Sequence, residues 1–212
     1  MFVFSFVFLP LLLACFCFFY KSHKIVPVIA IGILTGIIVC ACQSFFTFAH
    51  RVIPYNFIDN YLYLLFRQTI LPLFILYLVF FLVSKDELQF KIDSFLPLNL
   101  SYYSIYLPYI IITTSEGLYS WFALFVKPVL FGAMLVQTAI SVWYFYKLLK
   151  NNKIIFSILL TIISLVYICL PAMFESLYLI KIYTSVIVVF GFVYILIPFT
   201  FIFLKKINVI KL

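Results

Sequence analysis

Charge is what this chain has least of. Lysine, arginine, aspartate and glutamate make up 9% of its 212 residues, against about 25% in an ordinary soluble domain. Only six residues are acidic. Long polar stretches are missing as well. The most charged segment, Lys85-Asp86-Glu87 through Asp93-Ser94, covers only about ten residues and is too short for an aqueous domain. These deficits exclude a soluble globular fold, because 67% hydrophobic residues and a mean hydropathy of +1.28 leave more apolar surface than one core can hide.

Chemistry-bearing residues are equally sparse. There are two histidines, His23 and His50, expected on opposite sides of a membrane and so unable to share a metal. Five cysteines (Cys15, Cys17, Cys40, Cys42 and Cys169) all fall inside apolar runs. Cys40-x-Cys42 lacks the spacing and the histidine partners of a zinc site, and buried small hydrophobes are the expectation. Leu12-Leu13-Ala14-Cys15 has the form of a lipobox, but the run stays apolar to Tyr20, so a plain first span is expected. No H-E-x-x-H, G-x-S-x-G or phosphate-loop pattern occurs. Neither an enzyme nor a bound cofactor or metal is therefore expected. Asp86, Glu87 and Asp93 read as a solvated loop rather than a magnesium site.

What the chain does have is a succession of apolar runs. Runs at about 2–20, 25–49, 61–84, 96–114, 118–146, 154–173 and 182–204 are each long enough to cross hydrocarbon. They predict an all-α, polytopic bundle of about seven spans forming one integral membrane domain. The segment 96–114 is the ambiguous one, with Pro97, Pro108 and Tyr102, Tyr103, Tyr106 and Tyr109. Orientation decides for crossing. Lys21/Lys24, Lys85/Lys91, Lys147/Lys150/Lys153 and Lys205/Lys206/Lys211 all fall on one side if it spans, and the bias vanishes if it does not. The expected topology has the N-terminus outside and the C-terminus cytoplasmic, in a bacterial inner membrane. The net charge of +8 then belongs to cytoplasmic loops, and nucleic acid is excluded as a partner. The bilayer is the expected partner, with other membrane subunits alongside it.

A charge at mid-span costs about 2.5–3.5 kcal/mol on insertion scales, so each one asks for a reason. Two lie well inside runs, Arg67 and Lys127. Arg67 falls roughly 10 Å below the outer end of its span and Lys127 roughly 15 Å. Gln43 sits at similar depth, with Gln68 beside Arg67 and Gln137 nearer the cytoplasmic side. Pro72 and Pro128 follow each cation within a turn, and a proline frees backbone carbonyls of the kind that build sites in interrupted helices. Two readings are open. In one, Arg67, Lys127, Gln43 and Gln68 line an outward-facing polar cavity for an anionic group. In the other, the cations snorkel to the rim and pair with Asp59, Glu116 or Glu175. Gly32-x-x-x-Gly36 is the expected close-packing face of the second span. The functional expectation is a small permease or substrate-binding transporter subunit. The alternatives are an integral scaffold or accessory subunit of a larger membrane complex, and a membrane-embedded lipid-modifying enzyme.

Overall fold

The structure, a computed structural model, describes residues 25–46, 56–113 and 122–181. The expected spans at 2–20 and 182–204 lie outside these residues, as do Cys15, both histidines and Glu116. Every described element is helical. In chain order they are α1 (Ile25–Phe46), α2 (Phe57–Leu65), a π-turn (Phe66–Ile70), α3 (Leu71–Val83), α4 (Leu88–Asp93), α5 (Phe95–Thr113), a second π-turn (Phe122–Val126), α6 (Lys127–Lys150) and α7 (Ile154–Leu179). α2, the first π-turn and α3 form one continuous rod. Five helices among the described residues are long and apolar enough to cross a membrane: α1, the α2–α3 rod, α5, α6 and α7. The chain is an integral membrane protein.

Neighbours close into a cycle. α1 packs on α5, α5 on α6, α6 on α7, α7 on α2, and α3 back on α1. α5 and α6 lie deepest, 61% and 65% buried over their apolar windows against 33% for the other three spans. α5 is also the least hydropathic span. The two facts belong together. Its Asn99, Ser101, Tyr103 and Tyr106 find partners inside the protein, which lipid could not supply. Tyr102, Tyr103 and Tyr106 are wholly buried and pack ring to ring, Tyr103 also against Phe131 of α6.

The glycines make the α1–α5 contact possible. A methyl group on Gly32 would stand 2.7 Å from the Leu98 carbonyl oxygen, and one on Gly36 would stand 3.2 Å from the Tyr102 carbonyl. The two backbones approach where side chains are missing.

Element ends depart from the apolar runs in four places. The rod begins at Phe57, before the expected Tyr61, because Asn56 caps it by accepting the Asp59 amide at 3.3 Å. The polar link after α3 contains the short helix α4, pinned to α6 where Trp143 Nε1 donates to the Ile92 carbonyl at 3.0 Å. α7 continues through Glu175 and Ser176 to Leu179, although those residues read as a polar link in the sequence. Glu175 is inside the bundle because its charge is met there. α6 likewise runs on through Lys147 to Lys150. Asn152, in the left-handed region at φ 56°, then reverses the chain into α7.

Candidate functional site

The geometry around Arg67 starts from Pro72. In the first π-turn the Leu71 amide donates to the Phe66 carbonyl, five residues back. The next donor in that pattern would be residue 72, which is proline and has no N–H. The Arg67 carbonyl is thereby left without a helical partner. Two side chains from other spans take it: Gln43 Nε2 of α1 donates at 3.1 Å and the Tyr106 hydroxyl of α5 at 2.6 Å. The same hydroxyl lies 3.0 Å from Gln43 Oε1, so its single proton is shared between two acceptors. The Gln68 carbonyl, which an α-turn would also direct to residue 72, receives the Tyr103 hydroxyl at 3.4 Å. One missing donor has become a three-helix junction.

The second π-turn repeats the arrangement. Phe122–Val126 precedes Lys127-Pro128 as Phe66–Ile70 precedes Leu71-Pro72. Here the residue before proline is itself the cation. Lys127, 3% exposed, pairs with Glu175 of α7, Nζ to Oε2 at 2.7 Å. Gln68 Nε2 donates to that same carboxylate oxygen at 2.7 Å. Glu175 thus ties α6 and α7 to the first π-turn. A pair this deep holds only while both partners are present. Removing one leaves a buried charge and costs about 3–5 kcal/mol.

The Arg67 side chain is held differently. It is 9% exposed. Nη1 donates to the Tyr63 hydroxyl at 3.3 Å and Nη2 to Thr113 Oγ1 at 3.0 Å, with the guanidinium 5.9 Å from the Tyr63 ring centre. No carboxylate among the described residues pairs with it. Among these residues its Nε has no acceptor, and Gln68 Oε1 and Thr69 Oγ1 have no partner.

All four expected site residues therefore meet in one region. Gln43 touches the Arg67 backbone, and Gln68 and Lys127 meet at Glu175. The sequence offered Glu175 as a partner for Lys127, and the two do pair, but inside the bundle rather than at the rim; Tyr103 and Tyr106 were missed as the donors that close the junction. The signal for the tyrosines was Pro72: a proline inside a span strands carbonyls, and buried hydroxyls nearby are what can reach them. Gln137, also noted as an intramembrane polar residue, is fully buried in α6 with neither end of its amide partnered among the described residues.

A cavity of about 570 Å3 lies in the other half of the bundle, toward α4. Leu73 and Tyr77 of α3, Asn99 of α5, Ser141 of α6 and Ser164 of α7 are on its wall, and none of Gln43, Arg67, Gln68 or Lys127 is. A comparison of the chain with protein-family models, with curated proteins and with solved structures finds no match.

Proposed function

We propose that the chain is a small permease or the substrate-binding subunit of a membrane transporter, and that Arg67 is its anion-binding residue. One observation carries this: a buried guanidinium held by neutral hydroxyls of the α2–α3 rod and α5, with Nε unpartnered among the described residues. A carboxylate or phosphate oxygen would supply the charge that Tyr63 and Thr113 do not. Gln43 and Gln68 position the arginine's helix rather than the ligand. Lys127, neutralised by Glu175, adds little net field and serves as the brace between α6, α7 and the π-turn. Helices interrupted at Pro72 and Pro128, beside the polar residues, are the type of element that moves in carriers.

In this reading the chain crosses a bacterial cytoplasmic membrane seven times, N-terminus outside and C-terminus inside, and works beside other membrane subunits. The Trp143–Ile92 bond supports the orientation. It puts the Lys85/Lys91 link and the Lys147–Lys153 end of α6 at one end of the bundle, as expected of cytoplasmic loops.

The test is a thermal-shift screen of the purified protein with carboxylates, phosphates and lipid head-group analogues. A ligand at a hundred times its Kd stabilises the folded state by about 2.7 kcal/mol. At least one anion should raise the melting temperature of the native chain and not that of a folded Arg67→Gln variant. No shift with any anion, or equal shifts in both proteins, removes the proposal. A reporter fused after Leu212 should be active only in the cytoplasm.

A further inference from the structure

The cavity toward α4 has a chemistry of its own. At about 570 Å3 it falls within the range of small-molecule sites, about 300–1,000 Å3. Among the described residues, no charged side chain lines it. Most of the wall is aliphatic or aromatic, from Leu73 and Phe95 round to Met134 and Ile168. Leu88, Phe145 and Leu165 on the wall are themselves exposed, so the cavity opens to the outside of the bundle.

One pair of polar groups on the wall is incompletely satisfied. Asn99 is fully buried. Its Nδ2 donates to the Phe95 carbonyl at 2.7 Å and to the Tyr77 hydroxyl, and the carbonyl, which can only accept, fixes which end of the amide is nitrogen. Its Oδ1 then has no donor among the described residues. The Tyr77 oxygen accepts from Asn99 and keeps its own proton to give. An acceptor and a donor therefore stand side by side on an apolar wall. By contrast, Thr138, Ser141 and Ser164 each donate to a carbonyl of their own helix.

A group that matches this pair must donate to Asn99 Oδ1 and accept from Tyr77 Oη at once. A hydroxyl does both. An ether can only accept, and a hydrocarbon does neither. A carboxylate or an ammonium would enter a wall with no opposite charge. We infer that this cavity binds an uncharged, long-chain apolar molecule bearing a hydroxyl group, with the hydroxyl seated between Asn99 and Tyr77 and the chain along α3, α6 and α7. This site shares no residue with the anion site at Arg67.

The chain has two tryptophans, and Trp143 of α6 follows Val142 on the cavity wall. With Trp121→Phe, Trp143 becomes the sole reporter in the full chain in detergent. The probes are 9,10-dibromo-octadecan-1-ol and 9,10-dibromo-octadecane, whose bromines quench indole. The alcohol should quench saturably, with an apparent Kd roughly fivefold to tenfold below that of the hydrocarbon, the worth of about one buried hydrogen bond. Asn99→Leu should erase the difference between probes. Tyr77→Phe, which leaves the Asn99–Phe95 bond in place, should narrow it if the Asn99 variant does not fold. Val142→Phe, which takes up part of the cavity, should weaken saturable quenching by both probes. Equal quenching by alcohol and hydrocarbon overturns the hydroxyl assignment. Quenching that rises linearly with the probe-to-detergent ratio and ignores Val142→Phe overturns the site.

Discussion

The half of the bundle around Arg67 and the half around Asn99 share the α2–α3 rod, α5, α6 and α7 and differ in what their polar groups do. Around Arg67, polar atoms are spent on one another across helices. Gln43, Tyr106, Gln68, Glu175 and Lys127 join α1, the π-turn, α5, α6 and α7 through contacts of 2.6–3.1 Å. Around Asn99, hydroxyls mostly bond back to their own helices, and a volume of about 570 Å3 is left between the spans. Both halves contain buried polar side chains, so burial of polarity alone does not mark a site. What separates them is whether a polar group is cross-linked, self-bonded or left with an unused donor or acceptor. Arg67 Nε in one half and Asn99 Oδ1 in the other belong to the last kind.

The sharpest way to break the contrast is to remove Glu175. Glu175→Ala should cost about 3–5 kcal/mol in unfolding by detergent titration, since Lys127 is left buried and alone. The double variant Lys127→Leu/Glu175→Leu should recover most of that loss. Equal losses in single and double variants would show that the ion pair is not the unit holding α6 to α7. Next in size is added volume where backbones touch. Gly32→Ala should destabilise by about 1–3 kcal/mol, because its methyl meets the Leu98 carbonyl, and Gly36→Ala by less. Tyr106→Phe should cost about 1 kcal/mol, one donor to the stranded Arg67 carbonyl. Smallest of all, Val142→Phe should leave stability within about 0.5 kcal/mol or raise it, since it fills existing space. If Val142→Phe proved as damaging as Gly32→Ala, the cavity half would be as tightly packed as the α1–α5 seam.

Much of this was readable in the sequence and some was not, for identifiable reasons. The helical, membrane-embedded class follows from apolar runs, because hydrocarbon admits few alternatives. Arg67 and Lys127 stood out because charge in such runs is rare. Glu175 was legible only as a rim partner for Lys127, because an acid near the end of a run looks the same whether it faces water or a lysine on the next helix. Only the packing of α6 against α7 and the first π-turn tells them apart. The Gln43 and Tyr106 contacts depend on a carbonyl that exists as a free acceptor only once Pro72 and the π-turn are in place. Asn99 carried no sequence signal at all. Its chemistry lies in which of its two amide ends found partners, and that is a property of the fold.

The two π-turns have one more effect, on helical phase. Each holds a residue more than the α-turn it replaces, and successive residues of an α-helix are set roughly 100° apart. The segment beyond each turn is therefore rotated by about that angle relative to an unbroken helix. For the α2–α3 rod this decides which side chains of α3 face inward, so that Leu73 and Tyr77 reach the cavity while Phe74 and Leu78 look outward. Deleting a single residue between Phe66 and Ile70 would keep nearly the whole composition of the rod and re-aim its entire lower half.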